Sequence, residues 1–159
     1  MQQQAMTRIE ERIAELGLVL PTPPAPIAAF VPYTIQDNMV IVSGQLPMGP
    51  GGIEYKGRLG ESISLEDAQA AAALCALNLL AQLRAACDGN LNLARRCLRL
   101  GVFVACTPEF GDHPEVANGA SNLIVNVMGD AGKHARAAVG VAALPRGASV
   151  EVEGLFEIS

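Results

Sequence analysis

One arginine and two glutamates stand where they could hold and transform a small molecule. Arg136 opens an apolar, strand-like run, and a guanidinium at such a position can bind a carboxylate through two parallel hydrogen bonds. Glu151 and Glu153 stand two residues apart in another strand-like run, so both side chains point to one face of a sheet and perturb each other's charge. These residues predict a site in which an arginine binds an anion and a glutamate carboxylate lies nearby. The alternative interpretation is that all three are solvated surface charges.

A second set of residues could contact a ligand without carrying charge. Ser43 and Gly44 end a predicted strand, where a hydroxyl and backbone amides could face a ligand and the glycine allows close approach. The alternative interpretation is a plain turn. His113 and His134 lie near predicted helix ends, where we expect a capping or solvent contact, since no Cys or Ser pattern recruits them into a triad.

The four cysteines predict neither a metal site nor a disulfide. Cys75, Cys87, Cys97 and Cys106 form no CxxC pair and no His stands at metal-ligand spacing from them, so we expect buried free thiols in a reducing compartment, the cytoplasm. The chain also has no run of 18 apolar residues, and its first residues are polar and amphipathic. We therefore expect no signal peptide and no membrane partner.

Composition indicates one globular domain that does not bind nucleic acid. The 159 residues are 50% hydrophobic and 17% charged, with a formal net charge of −5, whereas nucleic-acid binding depends on clustered Lys and Arg. Arg95, Arg96 and Arg99 form the one basic cluster, which we interpret as a solvated sheet face. The apolar surplus predicts that another subunit covers part of the surface.

The N-terminal third combines an extension with the start of a sheet. An amphipathic helix is predicted over Thr7–Leu16 and a proline-rich surface connector over Pro21–Pro26, so residues 1–26 form an extension and residues 27–159 the domain. A hairpin of two strands, Val31–Thr34 and Met39–Ser43, is predicted next. A Gly-rich loop over Met48–Gly60 follows it, with at most a short strand at Ile53–Tyr55.

The remaining chain alternates helices and strands. The first predicted elements are a helix at Leu65–Cys87, with a capping box of Ser64 and Asp67, and a central strand at Arg96–Cys106. A helix that starts after Asp112 or His113 and runs to Met128 follows, and then come strands at Ala137–Ala143 and Ser149–Ile158. The order β-β-α-β-α-β-β predicts an α/β (α+β) domain with two main helices on one face of a mixed sheet.

Several short motifs together resemble a known family. They are Ser43-Gly44-Gln45-Leu46-Pro47, Val102-Phe103-Val104 before a helix carrying Asn118, Arg136-Ala137-Ala138-Val139, Leu144-Pro145, and Val150-Glu151-Val152-Glu153. Their order and spacing over residues 27 to 158 resemble the Rid (YjgF) family, also called L-PSP endoribonuclease-like. The resemblance is to the longer subgroup with an N-terminal helix.

The resemblance implies a fold, an assembly and a reaction. It implies a chorismate-mutase-like fold and a homotrimer with three clefts between subunits, which need no metal or organic cofactor. Arg136 would bind the carboxylate of a 2-imino or enamine acid and Glu153 would position the attacking water, giving a 2-keto acid and ammonia. The implied substrate-binding residues are Phe30, Ser43, Gly44, Asn118 and Ala138.

Two departures from the family pattern keep a second hypothesis open. Ala138 stands where the family's deaminases commonly have cysteine, and Phe30 where they have tyrosine, with Tyr33 nearby. The alternative is a trimer that binds a carboxylate-bearing metabolite without catalysis. Ribonuclease activity is disfavoured, because the chain is acidic and shows no His pair or metal cluster.

Overall fold

The chain folds into a mixed sheet with helices on one side. The computed structural model describes residues 9–23 and 29–159. In these residues the strands are β1 (Tyr33–Gln36), β2 (Met39–Gln45), β3 (Met48–Gly49), β4 (Gly52–Ile53), β5 (Ala94–Ala105), β6 (Ala135–Val141) and β7 (Val150–Ile158). The helices are α1 (Ile9–Glu15), α2 (Leu65–Ala86) and α3 (His113–Met128), with 3-10 turns at Leu91–Leu93, Gly129–Gly132 and Pro145–Gly147.

The main sheet has the strand order β1-β2-β7-β5-β6, and β3 pairs with β4 in a separate hairpin. Neighbouring strands of the main sheet are antiparallel except for β5 and β6, which are parallel and joined through α3. The predicted mixed α+β architecture is confirmed, and β5 is an interior strand between β7 and β6, although β7 is the middle strand of the five. The short strand predicted to reach Tyr55 ends at Ile53, because Tyr55 has a φ of +55°, which an extended strand does not accommodate.

Helices α2 and α3 cover one face of the sheet and form the core with it. The hydroxyl of Ser64 accepts a hydrogen bond from the Asp67 backbone N–H at 3.1 Å, so the predicted cap begins α2. A Cβ atom on Gly119 of α3 would overlap the carbonyl oxygen of Gln69 in α2. The missing side chain therefore lets the two helices approach closely.

No described element packs on the other face of the sheet, and this face is partly apolar. In β7, Val150, Val152 and Phe156 point into the core and the intervening residues point to the opposite side. On that side Ile41 and Val139 remain 50% and 48% exposed. We call this surface, which also carries Phe103, Leu155 and the glutamates of β7, the open face.

The two ends of the described chain meet at the turn Leu91–Leu93. Glu10 of α1 accepts a hydrogen bond from Leu91 N–H at 3.0 Å and donates its own N–H to the side chain of Asn92 at 3.1 Å. At the other end, the N–H of Ser159 donates to the carbonyl of Leu93 at 2.9 Å. Ile13 is buried in the core, so α1 packs on the domain, while residues 1–8 and Pro24–Pro26 of the predicted extension lie outside the described residues.

All four cysteines are free and buried, as the sequence predicts. Burial raises the pKa of Cys75 and Cys87 and raises that of Cys97 to about 12. In the part of the chain that the structure describes, no helix is long and apolar enough to span a membrane.

Candidate functional site

Arg136 lies on edge strand β6, with its side chain directed towards α3. Its Nη1 donates to Asn118 Oδ1 at 2.9 Å and to Ser121 Oγ at 3.1 Å, and Nη2 approaches the carbonyl of Pro114 at 3.5 Å. These contacts fix an exposed guanidinium at the end of the sheet. We call Arg136, Asn118 and Ser121 the arginine cluster.

A chain of hydrogen bonds supports the arginine cluster from behind. His134 Nδ1 lies 2.6 Å from the carbonyl of Gly132, so Nδ1 carries the proton and donates it. Its Nε2 then accepts from Ser121 Oγ at 2.9 Å, which leaves the oxygen of Ser121 to accept from Arg136. His134 therefore orients Ser121, and neither residue was singled out for this contact from the sequence.

Glu153 lies on the opposite face of the sheet from Arg136. It pairs with Gly101 in the sheet register, and its carboxylate lies 3.6 Å from Nη1 of Arg99 on the open face. Arg136 pairs with Leu100, whose side chain is buried beneath the helices. A single chain does not bring Arg136 and Glu153 together, so a joint site remains a prediction that requires a second copy.

Glu151 lies beside the Ser43-Gly44 segment. Strand β2 has an irregularity between Val42 and Gln45, and a Cβ atom on Gly44 would overlap the carboxylate of Glu151. Burial raises the pKa of Glu151, and the neighbouring charge of Glu153 raises it further. We call Ser43, Gly44 and Glu151 the Gly44 cluster.

An apolar cavity of about 700 Å³ adjoins the Gly44 cluster. It lies between the end of β2, the loop through Pro50, α2 and residues Pro21–Pro23, and its wall includes Phe30, Ser43, Gly44, Leu74 and Leu77. Three of the predicted substrate-binding residues thus share one cavity. The Ser43 hydroxyl donates to the carbonyl of Val31 at 2.9 Å, so a ligand would meet its oxygen as an acceptor.

Of the other predicted residues, Asn118 belongs to the arginine cluster and Ala138 lies two residues beyond Arg136. Ala138 is half-buried and packs against the core on the same side of the sheet as Arg136. Strands β7 and β5 separate β2 from β6, and three strand spacings amount to about 14 Å. One chain therefore carries two separate halves of the predicted site.

One contact is not predicted from the sequence. The sequence shows no Cys or Ser pattern that recruits His113 into a triad, yet Cys106 Sγ lies 3.5 Å from its Nε2. The strand end at Ala105 and the helix start at His113 are neighbours in space, and the connecting residues turn the chain back. The spacing of seven residues across a strand-to-helix connection is the sequence signal for this pair.

Within residues 9–23 and 29–159, no group of three or more His, Cys, Asp or Glu side chains is arranged to hold a metal ion.

Comparisons with known proteins show which family shares this architecture. Residues 10–156 match the family model described as "YjgF/chorismate_mutase-like, putative endoribonuclease". The chain is 44% identical over 156 residues to Protein TCP17 of Trypanosoma cruzi, covering 98% of this chain and 97% of that protein. The structure of Atu1372 from Agrobacterium tumefaciens, a protein of unknown function, superposes with a TM-score of 0.89 at 49% identity, covering 99% of this chain and 97% of that one.

A protein from Shewanella oneidensis also superposes with a TM-score of 0.89, at 31% identity and with coverage of 94% and 99%. The matched region runs from the first described helix to the last strand, so both the fold and the motifs lie inside it. The chain belongs to the YjgF/chorismate-mutase-like family.

Proposed function

We propose that the protein hydrolyses 2-imino or enamine acids to 2-keto acids and ammonia in clefts between the subunits of a homotrimer. Each cleft would join the arginine cluster of one subunit to the Gly44 cluster of the next. The observation that carries the proposal is Arg136, whose guanidinium is fixed by Asn118 and Ser121 yet remains exposed. A charge held in place at a surface is suited to binding the carboxylate of a small molecule.

Two features support assembly from several copies. The open face leaves large apolar side chains in solvent, Ile41 and Val139 among them, and a surface of this kind marks a contact with another molecule. Strand β6 is also an edge strand, so the arginine cluster lies where a neighbouring subunit can reach it. A second copy that covers the open face and meets this edge would bring the two clusters together.

In the proposed reaction the substrate carboxylate binds Arg136, which fixes the position of the imine carbon before the chemistry begins. A water molecule attacks that carbon, a C–O bond forms, and the water's proton passes to a glutamate. The same proton then moves to the nitrogen, and the proton of the new hydroxyl follows it through the glutamate as the keto group forms. The C–N bond breaks and the nitrogen, which now carries both protons of the water, leaves as ammonia.

Glu151 is a better candidate for this proton acceptor than Glu153. Its carboxylate lies against Gly44, and burial raises its pKa, which favours proton exchange closer to neutral pH. The carboxylate of Glu153 instead pairs with Arg99. Glu153 remains the alternative, and matched substitutions distinguish the two.

The apolar cavity supports a substrate with a hydrocarbon side chain. Its wall includes Leu74, Leu77 and Phe30 beside Gly44, so a side chain extending from the reacting carbon would find apolar surface there. Asn78 holds the loop that closes this wall, because its side-chain amide donates to the carbonyls of Leu46 and Met48 at 3.0 and 3.1 Å.

The test measures ammonia and 2-keto acid released from freshly generated imino acids with several side chains. We expect activity in the wild type and its loss in Arg136→Ala, while Arg96→Ala, which removes an exposed arginine outside both clusters, keeps it. Light scattering checks that each variant has the mass of a trimer. A trimeric wild type without activity above the uncatalysed rate on any side chain would refute the deaminase proposal.

A second candidate function is binding without turnover. In the deaminases that this chain resembles, a cysteine stands at the position of Ala138 and a tyrosine at the position of Phe30. Both positions lie near the clusters, so these replacements favour binding without turnover. Calorimetric titration with a 2-keto acid would then show binding that Arg136→Ala removes, without any ammonia release. We do not propose a nucleic acid as ligand, since the chain has a net charge of −5.

A further inference from the structure

A thiol and an imidazole lie together at the end of β5, outside both clusters. Cys106 Sγ is 3.5 Å from His113 Nε2, and both side chains line a surface cavity of about 410 Å³. Arg58 and Thr107 also line this cavity. The cavity therefore combines a nucleophile, a proton acceptor and a cation.

The structure holds both members of this pair in position. The backbone N–H of Cys106 donates to Val141 at 3.1 Å, and its carbonyl accepts from Nη2 of Arg58, also at 3.1 Å. The ring of Phe110 meets that of His113 edge to face, with 5.2 Å between the centroids. The thiol and the imidazole thus face each other with little freedom to turn away.

A glycine on β6 leaves the space that the pair occupies. A Cβ atom on Gly140 would lie 2.7 Å from Cys106 Sγ and 2.7 Å from His113 Nε2. The backbone of Gly140 has no positive φ, so its conformation is open to any residue. An alanine at this position would therefore disturb the thiol and the imidazole and not the backbone.

The other three thiols lack this setting. Burial raises the pKa of Cys75, Cys87 and Cys97, and a thiol reacts as a nucleophile only after it loses its proton. Among the described residues, Cys106 is the cysteine that has a histidine within hydrogen-bond reach. These differences predict selective reaction at Cys106.

We propose that Cys106 and His113 form a covalent-addition site for small α,β-unsaturated carbonyl compounds that carry an anionic group. Sγ bonds to the β-carbon, its proton moves to Nε2 of His113, and the same proton then passes to the α-carbon. No oxidant or reductant is required, because the addition conserves all atoms and electrons. The adduct is a thioether.

Arg58 gives the site its preference for an anion. Its Nη1 pairs with Glu61 at 3.1 Å and its Nη2 binds the carbonyl of Cys106. Arg58 also lines the cavity, so a carboxylate on the electrophile would meet its positive charge there.

This site is separate from the proposed imine-hydrolysing centre. Gly140 stands four residues after Arg136 on the same strand, a span of about 13 Å at the rise of a β-strand. The addition reaction therefore does not depend on the proposed function. In Arg136→Ala we expect imine hydrolysis to be lost and labelling of Cys106 to be unchanged.

The experiment compares two probes, N-ethylmaleimide and its anionic analogue maleimidoacetic acid, on the full-length native protein. Peptide mass spectrometry reports which cysteine carries the adduct and how quickly it forms. We expect Cys106 to react first and, relative to free glutathione, to favour the anionic probe several-fold. Arg58→Gln should remove that preference. Cys75, Cys87 and Cys97 serve as internal controls for unfolding, since they react only when the core opens.

Two further variants test the proton acceptor. We expect His113→Asn to slow labelling of Cys106 at pH 7 about a hundredfold, the lower range for a lost general base. Gly140→Ala should slow it as well, because the added methyl separates the pair. Circular dichroism and unchanged protection of Cys75, Cys87 and Cys97 confirm that each variant is folded. The proposal is overturned if Cys87 reacts as fast as Cys106, or if folded His113→Asn reacts at the wild-type rate.

Discussion

The carboxylate of Glu151 occupies the space in which a side chain at Gly44 would stand. Gly44 has no positive φ, so its backbone conformation is one that any residue can adopt. The neighbouring carboxylate is therefore the reason that this position favours glycine. The contact links a motif on β2 to a charged group on β7, two strands that pair directly.

Replacing Gly44 with alanine should affect activity more than stability. The added methyl would displace the end of the flexible Glu151 side chain, so we expect the unfolding temperature to change little and kcat/KM for imine hydrolysis to fall at least about tenfold. Gly51→Ala is the matched control, since nothing lies within 4 Å of its Cβ position and its φ is not positive. Equal activity in the two variants would argue against Glu151 as a reacting group.

The two glutamates of β7 should differ in their effect on turnover. We expect Glu151→Gln to reduce kcat about a hundredfold, the lower range for a lost general base, and Glu153→Gln to retain most activity. Both variants keep the side-chain size and remove one negative charge from the same face. The opposite pattern in steady-state rates would assign the proton transfer to Glu153.

The raised pKa of Glu151 predicts a pH-dependent effect on stability. The folded protein binds this proton more tightly than the unfolded chain, whose Glu151 has the ordinary value of 4.5. The resulting stabilisation is present below pH 4.5 and is lost as the pH rises through the folded-state pKa. Glu151→Gln should therefore be more stable than wild type at pH 7, and the difference should vanish near pH 4.

Urea unfolding at several pH values between 4 and 8 measures this difference. Glu153→Gln provides the comparison, because it also removes a negative charge but breaks the ion pair with Arg99. If the free energies of unfolding of Glu151→Gln and of the wild type changed with pH by the same amount across this range, the carboxylate would not be desolvated in solution.

The close contact between α2 and α3 makes Gly119 a sensitive position. A Cβ atom there would overlap the carbonyl oxygen of Gln69, a backbone atom that cannot move without its helix. We expect Gly119→Ala to lower the free energy of unfolding by about 1–3 kcal/mol, the usual cost of overpacking. Gly111→Ala, where nothing lies within 4 Å, should cost little, and both are measured by denaturant unfolding.

Local sequence signals predicted most of the fold. Ser64 and Asp67 marked the start of α2 and its cap is formed as expected, and Asp112 precedes α3 at the predicted boundary. These features depend on neighbours a few residues apart. The short hairpin of β3 and β4 was not predicted as a pair, because two-residue strands in a Gly-rich loop carry no periodic pattern.

The site was predicted less completely, because its geometry depends on strand register. Alternation placed Glu151 and Glu153 on one face, but which of them lies beside Gly44 follows from the pairing of β2 with β7. Likewise, Arg136 faces the helices because it is in register with Leu100. The contact of Cys106 with His113 depends on how a connecting loop turns, and spacing alone does not specify it.

The meeting of α1 and Ser159 at the turn Leu91–Leu93 makes the path of the chain nearly a closed circuit from Ile9 onward. A short linker that replaces residues 1–8 could join Ile9 to Ser159 without altering the strand order. New ends could then be opened at Gly51, an exposed turn residue with no neighbour within 4 Å of its Cβ position. The molecule is thus suited to circular permutation. The ends of such a permutant would lie in the Gly-rich loop and would no longer be held by hydrogen bonds to the turn Leu91–Leu93.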